Sequence, residues 1–268
     1  MAYEQFSYLY DRLMEDMPYD DWLHFAHQCW NKLGTPRSVV DLGCGTGSIA
    51  VPLAQLGYEV VGIDLSEDML SMASQKAESA QRSKPFPAGG SVMWLQQDMR
   101  EWELGHPVDA VISFCDCLNY LLEEEDIERT FKQVYDGLAP GGVFVFDMHT
   151  QSQLQSYAES QPFFLNDDDV AYIWTCDFDP GRCEIEHELT LFVREGDTWA
   201  EGSDDAITER YHRIEELHVQ RAYPLDWVQE RLRAAGFSET ACYADFSFEA
   251  PKDDTQRAFF AAVKQRRD

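Results

Sequence analysis

The segment at residues 39–50, Val-Val-Asp-Leu-Gly-Cys-Gly-Thr-Gly-Ser-Ile-Ala, constrains the fold more than any other part of the chain. A short apolar run, a glycine-dense turn and the start of a helix follow one another without interruption. Gly43, Gly45 and Gly47 omit side chains where a backbone must approach a ligand closely, and they permit positive φ angles. The helix that follows exposes its first backbone N–H groups. The segment therefore predicts a nucleotide-binding loop between a buried strand and a helix.

Two carboxylates narrow the choice of ligand. The glycines alternate as Gly-x-Gly-x-Gly, whereas a dinucleotide fingerprint reads Gly-x-Gly-x-x-Gly. Asp41 stands two positions before the first glycine, and an acid there suits a cationic ligand better than a pyrophosphate. Asp64 ends a second apolar run at 59–64, where a carboxylate accepts hydrogen bonds from both ribose hydroxyls and repels a 2′-phosphate. The sequence thus favours an unphosphorylated nucleoside.

Together with a third motif, these features resemble the class I S-adenosylmethionine-dependent methyltransferases. The motifs are Asp-Leu-Gly-Cys-Gly-Thr-Gly at 41–47, Asp-Leu-Ser at 64–66 and Gln-Asp-Met at 97–99, and the resemblance extends over most of the chain. It implies S-adenosylmethionine as the cofactor, with the first motif on its methionine and ribose side, the second at the ribose and the third beside the adenine. The implied cofactor-binding residues are Asp41, Gly43, Cys44, Gly45, Gly47, Asp64, Leu65, Asp98 and Met99.

Each motif also has a simpler structural interpretation. Glycine-rich turns between a strand and a helix occur in dehydrogenases and in turns that bind nothing. Asp64 could cap the following helix, although Ser66 is the better N-cap before Glu67. Asp98 could be an ordinary loop carboxylate, but its position after the apolar run at 92–96 favours a site at the end of a strand.

The rest of the chain alternates helical and apolar strand patterns. Helices are predicted at 48–56, 67–80 and 123–138, and strands at 59–64, 92–96, 108–114 and 143–147. Continuous apolar runs of this length are typical of parallel strands covered on both faces. The predicted fold class is α/β: a Rossmann-like, doubly wound, seven-stranded, mostly parallel sheet whose last strand is antiparallel, with a small antiparallel β insertion.

Three regions follow from this pattern. Residues 1–35 are rich in Tyr, Trp, Met and Leu and predict a helical N-terminal cap. Residues 36–150 and 222–268 are predicted to form the cofactor-binding core. Residues 151–221 include stretches of alternating apolar and polar side chains, which predict antiparallel strands. In many small-molecule members of the resembled family, a segment after the fifth strand covers the active site and sets substrate choice.

Candidate catalytic residues lie after the fourth and fifth strands, because ligands of open α/β sheets bind beyond the carboxyl ends of the strands. Asp116 is a candidate both for catalysis and for binding the methionine end of the cofactor, and His149 is a candidate base near neutral pH. Methyl transfer from a sulfonium needs mainly alignment of nucleophile, methyl carbon and sulfur, so no base is obligatory. Alternatively, Asp116 packs or caps its loop and His149 is a polar surface residue.

Candidate substrate-binding residues come from the cap, the loop after the fourth strand and the return from the insertion: Tyr10, Asn119, Tyr120, Arg221 and Tyr223. Tyr8 and Tyr19 flank Tyr10 in the cap. Arg221 could pair with a substrate carboxylate. In the alternative interpretation, the tyrosines pack the cap against the sheet and Arg221 offsets nearby acids.

No metal site is predicted. His24, His27 and Cys29 lack a carboxylate or a second cysteine at ligand spacing. The acidic run at 166–169 lacks the alternating oxygen ligands and the glycine of a calcium loop, which favours a solvated turn. The seven cysteines show neither zinc spacing nor a secretory framework, so reduced thiols in a cytoplasm are expected.

The charge balance bears on partners. The chain carries 49 acidic and 21 basic residues, a net charge of −28. Carboxylates at this excess repel a phosphate backbone, so nucleic-acid binding is not expected. A solvated acidic surface is favoured over a dedicated basic partner. No apolar run approaches the length of a membrane span, so no membrane association and a cytoplasmic location are expected.

Two absences narrow the acceptor. The Asn/Asp-Pro-Pro-aromatic loop of nucleic-acid amino methyltransferases is replaced by Cys-Leu-Asn-Tyr, and the Pro-Cys nucleophile of cytosine-carbon enzymes is missing. The sequence thus predicts a methyltransferase that acts by in-line displacement on a small-molecule acceptor, or less favourably on a protein. The alternatives are a non-catalytic cofactor-binding or assembly protein and an NAD-dependent oxidoreductase. The acceptor atom is not readable from the sequence, nor is the oligomeric state, for which a homodimer is one option.

Overall fold

The computed structural model describes residues 10–194 and 210–266, so Tyr8 lies outside the described residues. After a helical stretch at 10–13, the elements in chain order are α1 (Tyr19–Leu33), β1 (Ser38–Leu42), α2 (Ala50–Gln55), β2 (Glu59–Asp64), α3 (Glu67–Ser83), β3 (Ser91–Gln96), β4 (Val108–Ser113), a 3₁₀ helix (Cys117–Tyr120), α4 (Glu124–Gly137), β5 (Leu138–His149), α5 (Gln151–Ser160), β6 (Phe163–Asn166), β7 (Val170–Asp179), β8 (Glu184–Arg194), β9 (Tyr211–Arg221), α6 (Leu225–Ala235), β10 (Phe237–Ala244) and β11 (Arg257–Lys264).

Seven strands form one sheet in the order β10-β11-β5-β4-β1-β2-β3. Strands β1 to β5 pair in parallel, whereas β11 runs antiparallel to both β5 and β10. This arrangement confirms the predicted sheet with its antiparallel last strand.

Helices cover both faces of this sheet, because its central strands are apolar on both sides. On one face, α1 and α2 bury residues such as Trp22 and Leu53 against β1 and β5. On the other face, α4 and α6 bury Phe131 and Leu232 against the opposite side chains of the same strands. The two apolar layers fix the sheet between them, and the polar loops at the strand ends remain outside the core.

Strands β6 to β9 form a second, antiparallel sheet of four strands. Its buried cluster of Val170, Leu191 and Ile214 packs with Tyr10 and Leu13 of the N-terminal segment and with Met69 of α3. The small sheet therefore contacts both the start of the chain and the helix that follows Asp64.

Several boundaries differ from the predicted ones. Helix α2 is shorter than 48–56, and β5 begins at Leu138, directly after α4, where a longer break was expected. The prediction lacked α5 and β6. Only Leu154 of α5 is buried, so its sequence carries a weak amphipathic pattern, and β6 has just four residues.

Within the described ranges, no helix combines the length and the apolar character that a membrane span requires. The same residues contain no group of three or more His, Cys, Asp or Glu side chains arranged to hold a metal ion.

Candidate active site

The carboxyl ends of five parallel strands meet at one edge of the large sheet. From β1 the chain continues towards β2 and β3, whereas from β4 it continues towards β5, on the other side. The loops that follow β1 and β4 therefore diverge and leave a crevice between them, the usual ligand position in an open α/β sheet.

The glycine turn after β1 lines this crevice. Gly43, Gly45 and Gly47 have φ angles of 79°, 51° and 75°. A Cβ atom on Gly43 would lie 2.1 Å from the Sγ atom of Cys117, and one on Gly47 would lie 2.6 Å from the Trp94 ring. A Cβ atom on Gly45 would meet no described atom within 4 Å. Two of the glycines thus serve packing, and the third borders open space.

Asp64 joins the glycine turn to α3. Its carboxylate accepts hydrogen bonds from the backbone N–H of Gly45 (2.8 Å) and of Ser66 (2.9 Å). Ser66 caps α3 by accepting from Met69 N, which confirms the predicted N-cap. Leu65, between them, is 62% exposed and offers an apolar surface beside the carboxylate.

Asp41 is a buried carboxyl group with an unused acceptor. The residue is 3% exposed, and no described residue donates a hydrogen bond to its Oδ2 atom. Burial and the nearby Asp64 carboxylate raise the pKa of Asp41 to about 7. A positively charged ligand group beside this oxygen would stabilise the ionised form. The buried side chain of Cys44 lies against Gly62 on the neighbouring strand.

Asp98 and Met99, in the motif that follows β3, make different contacts. Asp98 accepts hydrogen bonds from the Arg100 side chain, at 2.6 Å and 2.9 Å, and these bonds lower the pKa of its carboxyl group. Arg100 also binds Asp126 of α4. The methyl carbon of Met99, in contrast, lies 3.6 Å from the position of a Cβ atom on Gly43. Met99 therefore reaches the glycine turn, while the Asp98 carboxylate is engaged by its neighbour.

A second group of charged residues lies at the ends of β4 and β5. Cys115 and Asp116 both have left-handed backbones, with φ of 60° and 52°. Their N–H groups donate to the two oxygens of Asp147, at 2.9 Å and 3.1 Å. Asp147 also accepts from Trp22 Nε1 at 2.9 Å and from Arg257. Four donors around one fully buried carboxylate fit only its ionised form.

The Asp116 side chain connects this group to the small sheet. Its Oδ1 atom accepts from Arg257 Nη2 (3.0 Å) and its Oδ2 atom accepts from Gln220 Nε2 (2.8 Å) of β9. Burial alone would raise the pKa of Asp116, but the neighbouring His149, the positive charge of Arg257 and these hydrogen bonds outweigh it, so the pKa is lowered. Asp116 is thus an ionised carboxylate whose two oxygens already have partners.

His149 lies in the same cluster and is 6% exposed. Its Nε2 atom is 2.6 Å from Arg257 Nη2 and 3.5 Å from Asp116 Oδ1. Burial lowers the pKa of His149, so the ring is neutral at pH 7. Because a guanidinium only donates hydrogen bonds, Nε2 must be the unprotonated nitrogen, and its lone pair is occupied. This geometry argues against the predicted role of His149 as a base through Nε2.

Asn119 is a buried connector. Its side-chain nitrogen donates to the carbonyl groups of His149 (3.1 Å) and Arg221 (2.9 Å), and its oxygen accepts from His149 N (2.9 Å). The residue is fully buried, so it holds the ends of β5 and β9 together and has no group left for a substrate.

The two predicted tyrosines of the crevice face the small sheet. Tyr120 is 47% exposed, and its hydroxyl lies 3.4 Å from His218 Nδ1 of β9. Burial raises the pKa of the Tyr10 hydroxyl, and the neighbouring Tyr19 and Tyr120 raise it further. Both side chains therefore lie where the cap, the crevice and the small sheet meet.

Arg221 and Tyr223 are not brought into this cluster. The Arg221 guanidinium binds the Leu122 carbonyl (2.7 Å) and Glu124, and it lies over the Tyr223 ring. The Tyr223 hydroxyl donates to the Leu121 carbonyl at 2.6 Å. Side chains alternate along a strand, so Arg221 points away from the face that carries Gln220. These contacts match the structural alternative for Arg221.

Comparison with known proteins supports the family that the site suggests. A family model described as a methyltransferase domain matches residues 39–142. A protein of Geobacillus sp. (strain WCH70), provisionally named a methyltransferase, is 40% identical over 98% of this chain and 100% of its own length. The chain belongs to the S-adenosylmethionine-dependent methyltransferases. A Bacillus subtilis (strain 168) protein, YqeM, also provisionally named a methyltransferase, is 36% identical over 99% of this chain and 98% of its own.

Solved methyltransferase structures share the fold. An S-adenosylmethionine-dependent methyltransferase from Clostridium acetobutylicum ATCC 824 superimposes with a TM-score of 0.79 at 24% identity, covering 99% of this chain and 100% of the other. An amino pentose methyltransferase from Micromonospora echinaspora, solved with S-adenosylmethionine bound, gives a TM-score of 0.67 at 19% identity, covering 96% of each chain. The family assignment removes the NAD-dependent oxidoreductase alternative.

Four residues of this methyltransferase's crevice have no role in the sequence prediction, although Asp147 lies in the candidate segment at 147–150. Asp147 ends the apolar run of β5, Arg257 begins the last strand, and Gln220 and His187 occupy inward positions of β9 and β8. His187 Nδ1 accepts from Trp174 Nε1 at 3.1 Å, and burial lowers the pKa of His187 to about 4. The available signal was positional: each polar residue stands in an otherwise apolar run or on an inward-facing position.

Proposed function

We propose that this methyltransferase transfers the methyl group to an amine nitrogen of a small polar molecule held beside Asp116, where the small sheet meets the crevice of the core. The observation that carries the proposal is the 2.8 Å hydrogen bond from Gln220 to Asp116, which joins the small sheet to the crevice of the core. In this proposal residues 36–150 and 222–268 bind the cofactor, residues 151–221 cover the acceptor, and residues 1–35 cap the core.

The residues at the glycine turn fit S-adenosylmethionine. The unpartnered Asp41 oxygen suits a cationic amino group, Asp64 suits the ribose hydroxyls, and the open side of Gly45 leaves room for the nucleoside. Leu65 and Met99 offer apolar surface to the adenine. When bound, S-adenosylmethionine supplies an electrophilic methyl group on a sulfonium. Asp116 is proposed to align the acceptor with that methyl group.

The choice of an amine follows from the acid–base groups of the crevice. A hydroxyl acceptor needs a base to increase its nucleophilicity, but the lowered pKa of Asp116 makes its carboxylate a weak base, and the lone pair of His149 Nε2 is occupied by Arg257. An unprotonated amine already carries a reactive lone pair. One similar protein is named for transfer to nitrogen: a dTDP-4-amino-2,3,4,6-tetradeoxy-D-glucose N,N-dimethyltransferase of Saccharopolyspora spinosa, 28% identical over 43% of this chain and 42% of its own.

The cellular setting is proposed on similar grounds. All seven cysteines are free thiols, which is expected in a reducing cytoplasm. The net charge of −28 supports a small-molecule partner over a nucleic acid.

The test is a transfer assay with methyl-labelled S-adenosylmethionine and pairs of acceptors that differ in one atom, such as amino-sugar nucleotides and their hydroxyl counterparts. The proposal predicts label on the amines and at least about tenfold less on the hydroxyl partners. An Asp116→Asn variant should lose transfer, whereas Glu67→Ala, an exposed control in α3, should keep it. Label on hydroxyls alone would contradict the amine. Binding of the cofactor without transfer to any acceptor would favour the non-catalytic alternative.

A further inference from the structure

His149 is surrounded on every side by groups that affect where its proton resides. Its own strand supplies Asp147, and the elements packed against it supply Asp116 after β4, Arg257 of β11, Tyr157 of α5, His187 of β8 and Gln220 of β9. Of these, Arg257 makes the shortest contact, at 2.6 Å from Nε2.

Arg257 is itself fixed in place. It forms ion pairs with Asp147 and Asp116, and its guanidinium lies 5.1 Å from the centre of the Trp22 ring. Asp147 is in turn held by Trp22 and by the N–H groups of Cys115 and Asp116. The guanidinium therefore cannot turn away from His149 without breaking two buried ion pairs.

The proton of the neutral ring follows from this arrangement. A neutral imidazole has one N–H and one acceptor nitrogen. Because Arg257 donates a hydrogen bond to Nε2, this nitrogen is the acceptor and the ring proton is on Nδ1. No described residue accepts a well-aligned hydrogen bond from Nδ1, although the atom is buried and the Gln220 side chain, whose nitrogen donates to Asp116, lies close enough to interact with the ring. An unused donor inside a polar crevice is costly unless a ligand or water accepts from it.

We propose that His149 is a neutral hydrogen-bond donor, held in the Nδ1–H form by Arg257, and that this N–H binds an oxygen of the acceptor substrate. The inference rests on the proposed function and deepens it. An N–H group selects a lone pair and rejects an ammonium, which has only donors. The lone pair of the reacting amine must point at the methyl carbon. His149 therefore takes an oxygen elsewhere on the same molecule, such as a hydroxyl or carbonyl beside the amine.

The first test measures which nitrogen of His149 is protonated in the wild-type protein. Protein labelled with ¹⁵N in histidine gives two-bond ¹H–¹⁵N correlations that distinguish the two neutral forms and the cation, and the signals missing from His149→Asn protein assign this residue. We expect Nδ1 to be protonated and Nε2 unprotonated at pH 7. A proton on Nε2, or on both nitrogens, would overturn the proposal.

A variant tests the cause. In Arg257→Met protein the proton should shift towards Nε2, which then faces Asp116 at 3.5 Å. Arg233→Met, in an exposed position on α6, should leave the spectrum unchanged. An unchanged His149 in folded Arg257→Met protein would overturn the role of Arg257. If that variant does not fold, Trp22→Phe, which removes the indole N–H that donates to Asp147 and leaves a smaller ring beside Arg257, gives the same comparison.

Binding separates this inference from the proposed function. S-adenosylhomocysteine should bind wild-type and His149→Phe proteins within a factor of about three, because the proposal assigns His149 to the acceptor and not to the cofactor. With an acceptor from the transfer assay, His149→Phe should raise KM about tenfold and leave kcat within a factor of about three. A fall in kcat at unchanged KM would contradict a binding donor. Failure of S-adenosylhomocysteine to bind wild-type protein would instead refute the proposed function.

Discussion

At the scale of single residues, Asp41 links cofactor binding to pH. Burial raises the pKa of its carboxyl group to about 7, and one oxygen lacks a described partner. The pKa in the folded protein lies above that of the unfolded chain, so the folded protein binds more protons between about 4 and about 7. Relative to Asp41→Asn, wild-type stability therefore falls as the pH rises through this window.

The same group should release a proton when the cofactor binds. A cationic amino group beside Asp41 favours the carboxylate, so the affinity for S-adenosylhomocysteine should increase as the pH rises through about 7. Titration calorimetry in two buffers of different ionisation enthalpy should detect proton release near pH 6.5. Asp41→Asn protein should show weaker binding and no such release. Equal release from both proteins would contradict this account of Asp41.

Gly45 and Gly47 offer a matched pair of substitutions. Gly45→Ala should lower the free energy of unfolding by about 1–2 kcal/mol, because alanine disfavours the left-handed backbone at this position. The cost should be no larger, because no described atom lies within 4 Å of the added methyl group. Alanine at Gly47 should cost more, because its Cβ would lie 2.6 Å from the Trp94 ring. Denaturant unfolding measures both values.

The affinity for the cofactor gives a second test of Gly45. The Gly45→Ala methyl group projects into the space assigned to the nucleoside, so this variant should lose affinity for S-adenosylhomocysteine at least about tenfold while remaining folded. Wild-type affinity in folded Gly45→Ala protein would place the nucleoside elsewhere.

The sequence predicts residues whose role depends on their near neighbours in the chain. Ser66 was identifiable as a cap because a serine before an acidic first turn has a local role. Arg257 and Gln220 were not identifiable, because their partner Asp116 is more than a hundred positions away in the chain. Only the pairing of β11 with β5 and the placement of the small sheet bring them together.

At the scale of elements, the N-terminal segment connects the two ligand regions. Asp11 Oδ1 accepts from Thr46 in the glycine turn at 2.6 Å, and its carboxylate forms a 2.9 Å ion pair with Lys76 of α3. Arg12, the next residue, pairs with Asp169 at the turn before β7. The segment thus contacts both the glycine turn and the small sheet, and we expect it to restrain a ligand bound at the glycine turn.

Removing the Lys76 ammonium should loosen this segment. Lys76→Met should weaken its attachment by about 1 kcal/mol, because the ion pair is only partly exposed. Hydrogen exchange at residues 10–17 should increase, and S-adenosylhomocysteine should dissociate several-fold faster. Lys132→Met, which removes an exposed pair on α4, is the control. Equal exchange and dissociation rates in both variants would show that the segment does not restrain the ligand.

Element prediction followed the strength of the periodic signal. Parallel strands of the core were found because each is a continuous apolar run, and α3 begins at the predicted residue. Helix α5 was missed because it buries a single side chain against the small sheet. Strand β6 was missed because four residues are too few for alternation to stand out.

At the scale of the whole molecule, the net charge of −28 opposes folding through self-repulsion. Salt shortens the range of this repulsion, from a Debye length of about 30 Å at 0.01 M to about 10 Å at 0.1 M. The free energy of unfolding, measured with urea, should therefore rise with sodium chloride over this interval. A flat or falling response would mean that local ion pairs outweigh the net repulsion.

The central claim is that the edge formed by the glycine turn and Asp64 binds S-adenosylmethionine, and calorimetric titration tests it most directly. Wild-type protein should bind S-adenosylmethionine and S-adenosylhomocysteine but not NAD. Asp64→Ala should weaken both roughly 100-fold through the loss of two charge-assisted hydrogen bonds to the ribose, whereas Glu67→Ala should not. Unchanged binding in Asp64→Ala protein, or no binding of either adenosyl ligand to wild type, would contradict the account.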